Sequence, residues 1–134
     1  MIVLDTSAIV ALQDRRDRWY PEALKAVREE PGPFIVPLAI LAEVDAVLSG
    51  RSAGAMTHVL GSVLDASLLM DGGEQDTARI AALMAGSARP RLTFADAAVV
   101  ACAERTRGRV LTFSPDPYVQ LARDGVVALV PAAS

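Results

Sequence analysis

The run Ile2-Val3-Leu4 holds no polar residue, and Asp5 follows it without a spacer. A strand with one wet face alternates apolar and polar side chains, so a run without alternation reads as a strand covered on both faces. Similar short runs recur at Phe34-Ile35-Val36, at Val110-Leu111-Thr112 and from Val126 to Val130, with Ser67 to Met70 as a further strand before the Asp71-Gly72-Gly73 turn. Between them lie stretches of helical character: Ser7 to Leu12, Pro21 to Glu30, Ala39 to Leu48, 53–65, 74–86, 95–106 and 116–123. Short strands alternating with helices predict an α/β fold with a central parallel sheet of four to five short strands and helices on both faces. Pro21 suits a first helical position, Pro31-Gly32-Pro33 is a stop, and Gly50 and Gly108 close two helices. No repeat, low-complexity tract or linker divides residues 1–134, so one domain is expected.

Ligands of such sheets bind beyond the carboxyl ends of the strands, which directs attention to the acids found there. Asp5 stands at the end of the first strand, where it serves equally as a helix cap or as a carboxylate at the active edge. Glu43 and Asp45 flank the apolar stripe of the helix after the second strand, and helical geometry does not choose between them. Thr93-Phe94-Ala95-Asp96 has the form of a capping box, which explains Asp96 structurally, yet the same helix N-terminus also favours an ionised carboxylate. Ser114-Pro115-Asp116 reads as an ordinary helix start with Ser114 at the N-cap, and Asp116 is a further acid at the same edge.

Singly each acid has a structural explanation. Together, Asp5, Glu43, Asp96 and Asp116 would repel one another at one edge unless a cation neutralised them. A hard, oxygen-ligated ion, Mg²⁺ or Mn²⁺, suits such a set and would serve in-line displacement at a phosphoryl group.

Other chemistries are excluded by counting. His58 is the only histidine and Cys102 the only cysteine, so Ser-His-Asp and Cys-His catalysis, HExxH sites, intrachain disulfides and thiolate zinc cages are all ruled out. A net charge of −3 argues against coating nucleic acid by bulk electrostatics, though not against a local groove. Arginine nonetheless dominates the bases, Lys25 being the only lysine. Arg15, Arg16 and Arg18 form the cluster expected to contact nucleic-acid phosphates, because arginine suits bidentate phosphate contact. Arg105, Arg107 and Arg109 read instead as the basic end of a helix and its surroundings, and Arg89 and Arg91 as a surface pair. Trp19, beside the first cluster, reads as a packing residue. The apolar stretches 33–48 and 92–103 are broken by Glu43, Asp45 and Asp96, and the opening residues lack a positive leader. Neither a membrane span nor a signal peptide is expected, and a cytoplasmic address follows.

Four motifs in order, Asp5-Thr6-Ser7-Ala8, Leu41-Ala42-Glu43-Val44, Phe94-Ala95-Asp96-Ala97 and Val110-Leu111-Thr112-Phe113, resemble those of the PIN-domain ribonucleases. Within that family the chain is most similar to VapC-type toxins of bacterial type II toxin–antitoxin pairs. The resemblance implies a Mg²⁺- or Mn²⁺-dependent endoribonuclease acting on RNA, a homodimer, and inhibition by a VapB-like antitoxin. It also implies that Asp5, Glu43 and Asp96 are metal-site acids supported by Ser7. Many relatives carry an aspartate where this chain has Ser114, with Asp116 two positions on as the substitute charge. That departure motivates a second reading, a catalytically weak PIN-like module that binds a partner protein or RNA. A receiver domain is disfavoured because Lys25 is far from the last strand, and a haloacid-dehalogenase-like phosphatase because Asp5-Thr6-Ser7 lacks a second aspartate.

Overall fold

Every residue of the first strand, β1 (Ile2–Leu4), is buried. Successive strand side chains point to opposite faces, so both faces of the sheet are covered at its centre. The computed structural model describes residues 1–86 and 90–131. It pairs β1 with β2 (Phe34–Pro37) on one side and β4 (Arg109–Leu111) on the other; β3 (Leu69–Asp71) and β5 (Leu129–Val130) form the edges. All pairings are parallel and the order is β3-β2-β1-β4-β5. The sheet therefore has the five strands at the upper end of the expected range.

Seven α-helices lie among the described residues: α1 (Thr6–Gln13), α2 (Tyr20–Glu29), α3 (Leu41–Leu48), α4 (Ala55–Leu64), α5 (Thr77–Ala85), α6 (Phe94–Thr106) and α7 (Val119–Arg123). Helix α6 packs across β1, β2 and β4, which is why its residues from Ala97 to Ala103 are all buried. A helix apolar all round belongs in the interior. Helix α1 packs against α2 and α3, completing the cover.

Several boundaries differ from the sequence reading. Single 3₁₀ turns at Leu38–Ile40, Glu74–Asp76 and Asp116–Tyr118 lead into α3, α5 and α7, where continuous helices were expected. The last strand is two residues long because its one partner, β4, is itself short and meets it only at Val110↔Leu129 and Leu111↔Val130. Helix α6 ends with Arg107 in the left-handed region at φ 55°, not with a glycine there. Gly108 is needed for closeness instead: a Cβ at that position would lie 3.0 Å from the Met1 carbonyl oxygen.

The chain builds outward from β1 to β2 and β3, then returns to add β4 and β5 on the other side. The reversal falls between β1 and β4, and a crevice opens at the carboxyl ends of strands on either side of such a point.

Candidate active site

Asp5 emerges from β1 at that point and is 5% exposed. It is the N-cap of α1: its Oδ1 accepts the Ala8 amide at 3.0 Å and the Ser7 hydroxyl at 2.7 Å. Ser7 Oγ in turn accepts the Phe113 amide at 2.9 Å and lies 3.3 Å from Thr112 Oγ1, which accepts the Ser114 amide at 3.0 Å. Because a carboxylate only accepts, the Ser7 proton is directed to Asp5. The result is a hydrogen-bond chain from the loop after β4 to the end of β1, which locks the Asp5 rotamer.

Asp96 is arranged in the same manner on another helix. It occupies N3 of α6 within a capping box, where Thr93 Oγ1 accepts the Asp96 amide at 3.2 Å and Asp96 Oδ2 accepts the Thr93 amide at 3.4 Å. The oxygens not used in capping, Asp5 Oδ2 and Asp96 Oδ1, both face the Tyr118 hydroxyl, at 3.3 and 3.5 Å. The capping and functional readings of these acids are therefore compatible: one oxygen of each serves its helix, and the other is turned to a common point. Tyr118 is itself 1% exposed.

A cavity of about 300 Å³ contains this point and is lined by Asp5, Ser7, Glu43, Asp96, Ser114 and Tyr118 among others. Glu43 sits in the first turn of α3, exposed at the cavity, whereas Asp45 does not line it. Of the two acids that helical spacing left open, Glu43 is the one at the cavity. Asp116 is exposed and lies outside the lining. Ser114 does not cap the following turn; Pro115 holds the N-cap position, and Asp116 and Pro117 come next. Among the described residues, no three acids, histidines or cysteines are close enough together to form a ready metal cage.

Burial pushes the Asp5 carboxyl above its ordinary value, opposed by donors from Thr112, Ser7, Ala8 and Tyr118. Burial also raises the Tyr118 phenol, reinforced by the two carboxylates it faces, so its proton stays on and the hydroxyl is a donor. Helices α1, α3 and α6 all begin beside the cavity, and their N-terminal dipoles favour negative charge there. Asp5 and Asp96, each with one uncapped oxygen turned to the Tyr118 hydroxyl, form a two-carboxylate donor pair, and Glu43 lines the same cavity. A hard divalent cation that binds through one or two carboxylates and keeps several waters fits that pair without a closed protein cage.

The arginines expected to meet RNA lie in the loop between α1 and α2, outside the cavity lining. Arg16 donates to the Arg51 carbonyl at 2.9 Å, and the Arg18 guanidinium stacks 4.6 Å from the Trp19 ring centroid. Trp19 stacks on Phe113 with centroids 5.6 Å apart and also lines the cavity. Sequence reading missed Tyr118, Thr112, Asp17 and Arg51, the last two being further cavity residues. Arg89 lies outside the described residues. A broader groove of about 1050 Å³, lined by Arg107, Arg109 and Arg123, sits at the amino ends of β4 and β5 and is separate from the acids.

The family model for the PIN domain matches residues 2–122. No curated protein matches the chain in sequence. Among solved structures, it is similar to the Mycobacterium tuberculosis toxin VapC20, described as cleaving the sarcin-ricin loop, with TM-score 0.80 and 17% identity over 90% of this chain and 95% of that one. A toxin–antitoxin complex from Klebsiella pneumoniae matches with TM-score 0.68 and 19% identity over 88% and 90% of the two chains. VapBC2 from Rickettsia felis, bound to a promoter DNA fragment, matches with TM-score 0.62 and 15% identity over 96% and 97%.

Proposed function

Since this chain belongs to the PIN-domain family, we propose that it is a divalent-metal-dependent endoribonuclease and the toxin of a toxin–antitoxin pair. The observation that carries the reading is the convergence of the two uncapped oxygens, Asp5 Oδ2 and Asp96 Oδ1, on one point of a cavity at the sheet's reversal. The toxin and toxin–antitoxin descriptions of the similar structures support the biological role and an antitoxin partner.

Asp5, Asp96 and Glu43 are the residues that would hold Mg²⁺ or Mn²⁺. When bound, such an ion stabilises the charge that develops on the scissile phosphate and lowers the pKa of water. Ser7 and Thr112 keep the Asp5 carboxylate in one orientation throughout, so no reorganisation is needed as charge develops. Glu43, exposed at the mouth and without a side-chain partner among the described residues, would complete the metal-holding set from a third element. Arg15, Arg16 and Arg18 approach the strand outside the cavity. Among the described residues no helix is long and apolar enough to cross a membrane.

The test is cleavage of a structured RNA by the purified protein in Mn²⁺ or Mg²⁺, beside an Asp5→Asn variant. Cleavage by the wild type that is lost in the variant supports the enzyme. Equal cleavage by both marks a contaminant, and none by either, with RNA still bound, favours a binding module, the reading that Ser114 motivates.

A further inference from the structure

Four carboxylates line the cavity, Asp5, Asp17, Glu43 and Asp96, and Arg51 is the one cation among the described lining residues. A polyanion entering this space meets repulsion that a metal ion offsets only where Asp5 and Asp96 hold it. We propose that Arg51 is the positioning residue that grips a backbone phosphate of the RNA strand in the cavity, an inference that rests on the ribonuclease reading.

Arg51 follows α3, and two loops converge to aim it. Its Nη1 donates to Asp17 Oδ2 at 2.9 Å and lies 3.6 Å from Asp14 Oδ2. Asp17 is fixed in turn, since its Oδ1 accepts the Trp19 amide at 2.8 Å. The Arg51 backbone is pinned as well: its amide donates to the Leu48 carbonyl and its own carbonyl accepts from Arg16. A guanidinium carries five N–H donors in a planar fork, and these contacts engage only the Nη1 end. Nε and Nη2 have no acceptor among the described residues, and the side chain is 43% exposed. That is the arrangement of a pre-oriented fork with its second edge open to a bidentate phosphate contact. A loop staple alone would account for the ion pair but not for an Nε/Nη2 edge left without an acceptor on a residue that lines an acidic cavity.

Trp19 supplies the readout, because it is the only tryptophan and lines the same cavity. The full-length protein in EDTA is titrated with a short single-stranded RNA oligonucleotide while Trp19 fluorescence is followed, at several salt concentrations. Arg51→Met should weaken binding about ten-fold and reduce the slope of log K against log salt by about 1. Arg51→Lys should keep the salt slope and recover part of the affinity. Asp17→Asn, which leaves the guanidinium charged but loosens its anchor, should give an intermediate loss. In Mn²⁺, KM should rise for Arg51→Met while kcat stays within a few-fold of wild type. The proposal is overturned if the wild type gives no fluorescence response. It is also overturned if Arg51→Met, or Arg51→Lys and Asp17→Asn where Arg51→Met fails to fold, bind as wild type with an unchanged salt slope. If RNA binds through Arg51 but no form cleaves it, the nuclease reading fails and the Arg51 assignment stands.

Discussion

Tyr118 turns its hydroxyl to Asp5 Oδ2 across 3.3 Å, although 113 residues separate them in the chain. That hydroxyl also stands 3.5 Å from Asp96 Oδ1, so one proton is shared between two acids that would otherwise face each other. Tyr118→Phe removes the donor to the uncapped oxygen of a buried carboxylate. Leaving such a group unsatisfied costs about 1–3 kcal/mol, and partial access from the cavity puts this case near the lower end. Urea unfolding in EDTA should show that loss, and a Tyr118→Phe variant as stable as wild type would show that the hydroxyl contributes nothing. Added Mn²⁺ should narrow the gap, because the ion takes over neutralisation of the acids.

Asp5 itself should be a stability burden in the metal-free protein. Its folded pKa is raised by burial above the ordinary 3.8, so the folded state holds the proton more tightly than the unfolded chain does. The corresponding stability is fully present below the ordinary value and is lost as pH rises through the folded pKa. Asp5→Asn keeps an acceptor for Ser7 and Ala8 while removing that titration. Thermal melts in EDTA should therefore give a Tm advantage of Asp5→Asn over wild type that grows from about pH 4 upward and then levels off, reaching a few degrees. An advantage that shrinks with pH would reverse the assigned sign.

Asp5, Asp96 and Tyr118 differ in how far the sequence alone reveals them. Asp5 was legible because the β1 run ends directly at it, and Asp96 because Thr93 begins a capping box; both signals are local. The parallel sheet was legible for the same reason, since unbroken apolar runs and helix signals alternate. Tyr118 carries no such signal. It reaches the acids only because the chain after β4 turns through Pro115 into a 3₁₀ turn, which leaves Asp116 exposed and carries Tyr118 inward. Arg51 and Asp17 come from separate loops whose meeting depends on packing of α1 against α3, a relationship no spacing encodes.

Ser114 lines the cavity and is exposed there. Ser114→Asp adds a fourth oxygen ligand candidate beside Asp5, Glu43 and Asp96 without disturbing a core contact. Affinity for hard cations rises with ligand charge, so Mn²⁺ should bind roughly five-fold more tightly. Isothermal titration on the metal-free protein measures this directly. Unchanged affinity would mean that position 114 is too far from the ion to matter.

Arg105 illustrates the opposite case, a basic residue whose work is structural. Its Nε and Nη2 donate to Asp76 at 2.9 and 3.0 Å, and Nη2 also reaches Asp71. Asp76 is only 7% exposed, so Arg105→Ala strands a carboxylate in the interior. Breaking a buried pair from one side costs about 3–5 kcal/mol, reduced here to about 2–3 by the partial exposure of the arginine. Cys102 reports the outcome, because burial and the nearby Asp71 push its thiol up to about 12, which keeps it unreactive while the fold is closed. Disulfide-exchange labelling of Cys102 should be slow in the wild type and accelerate in Arg105→Ala by roughly ten-fold for each ~1.4 kcal/mol of lost stability. RNA cleavage per folded molecule should be unchanged, since Arg105 lies outside the acidic cavity. Loss of cleavage without loss of thiol protection would instead tie this ion pair to the active site.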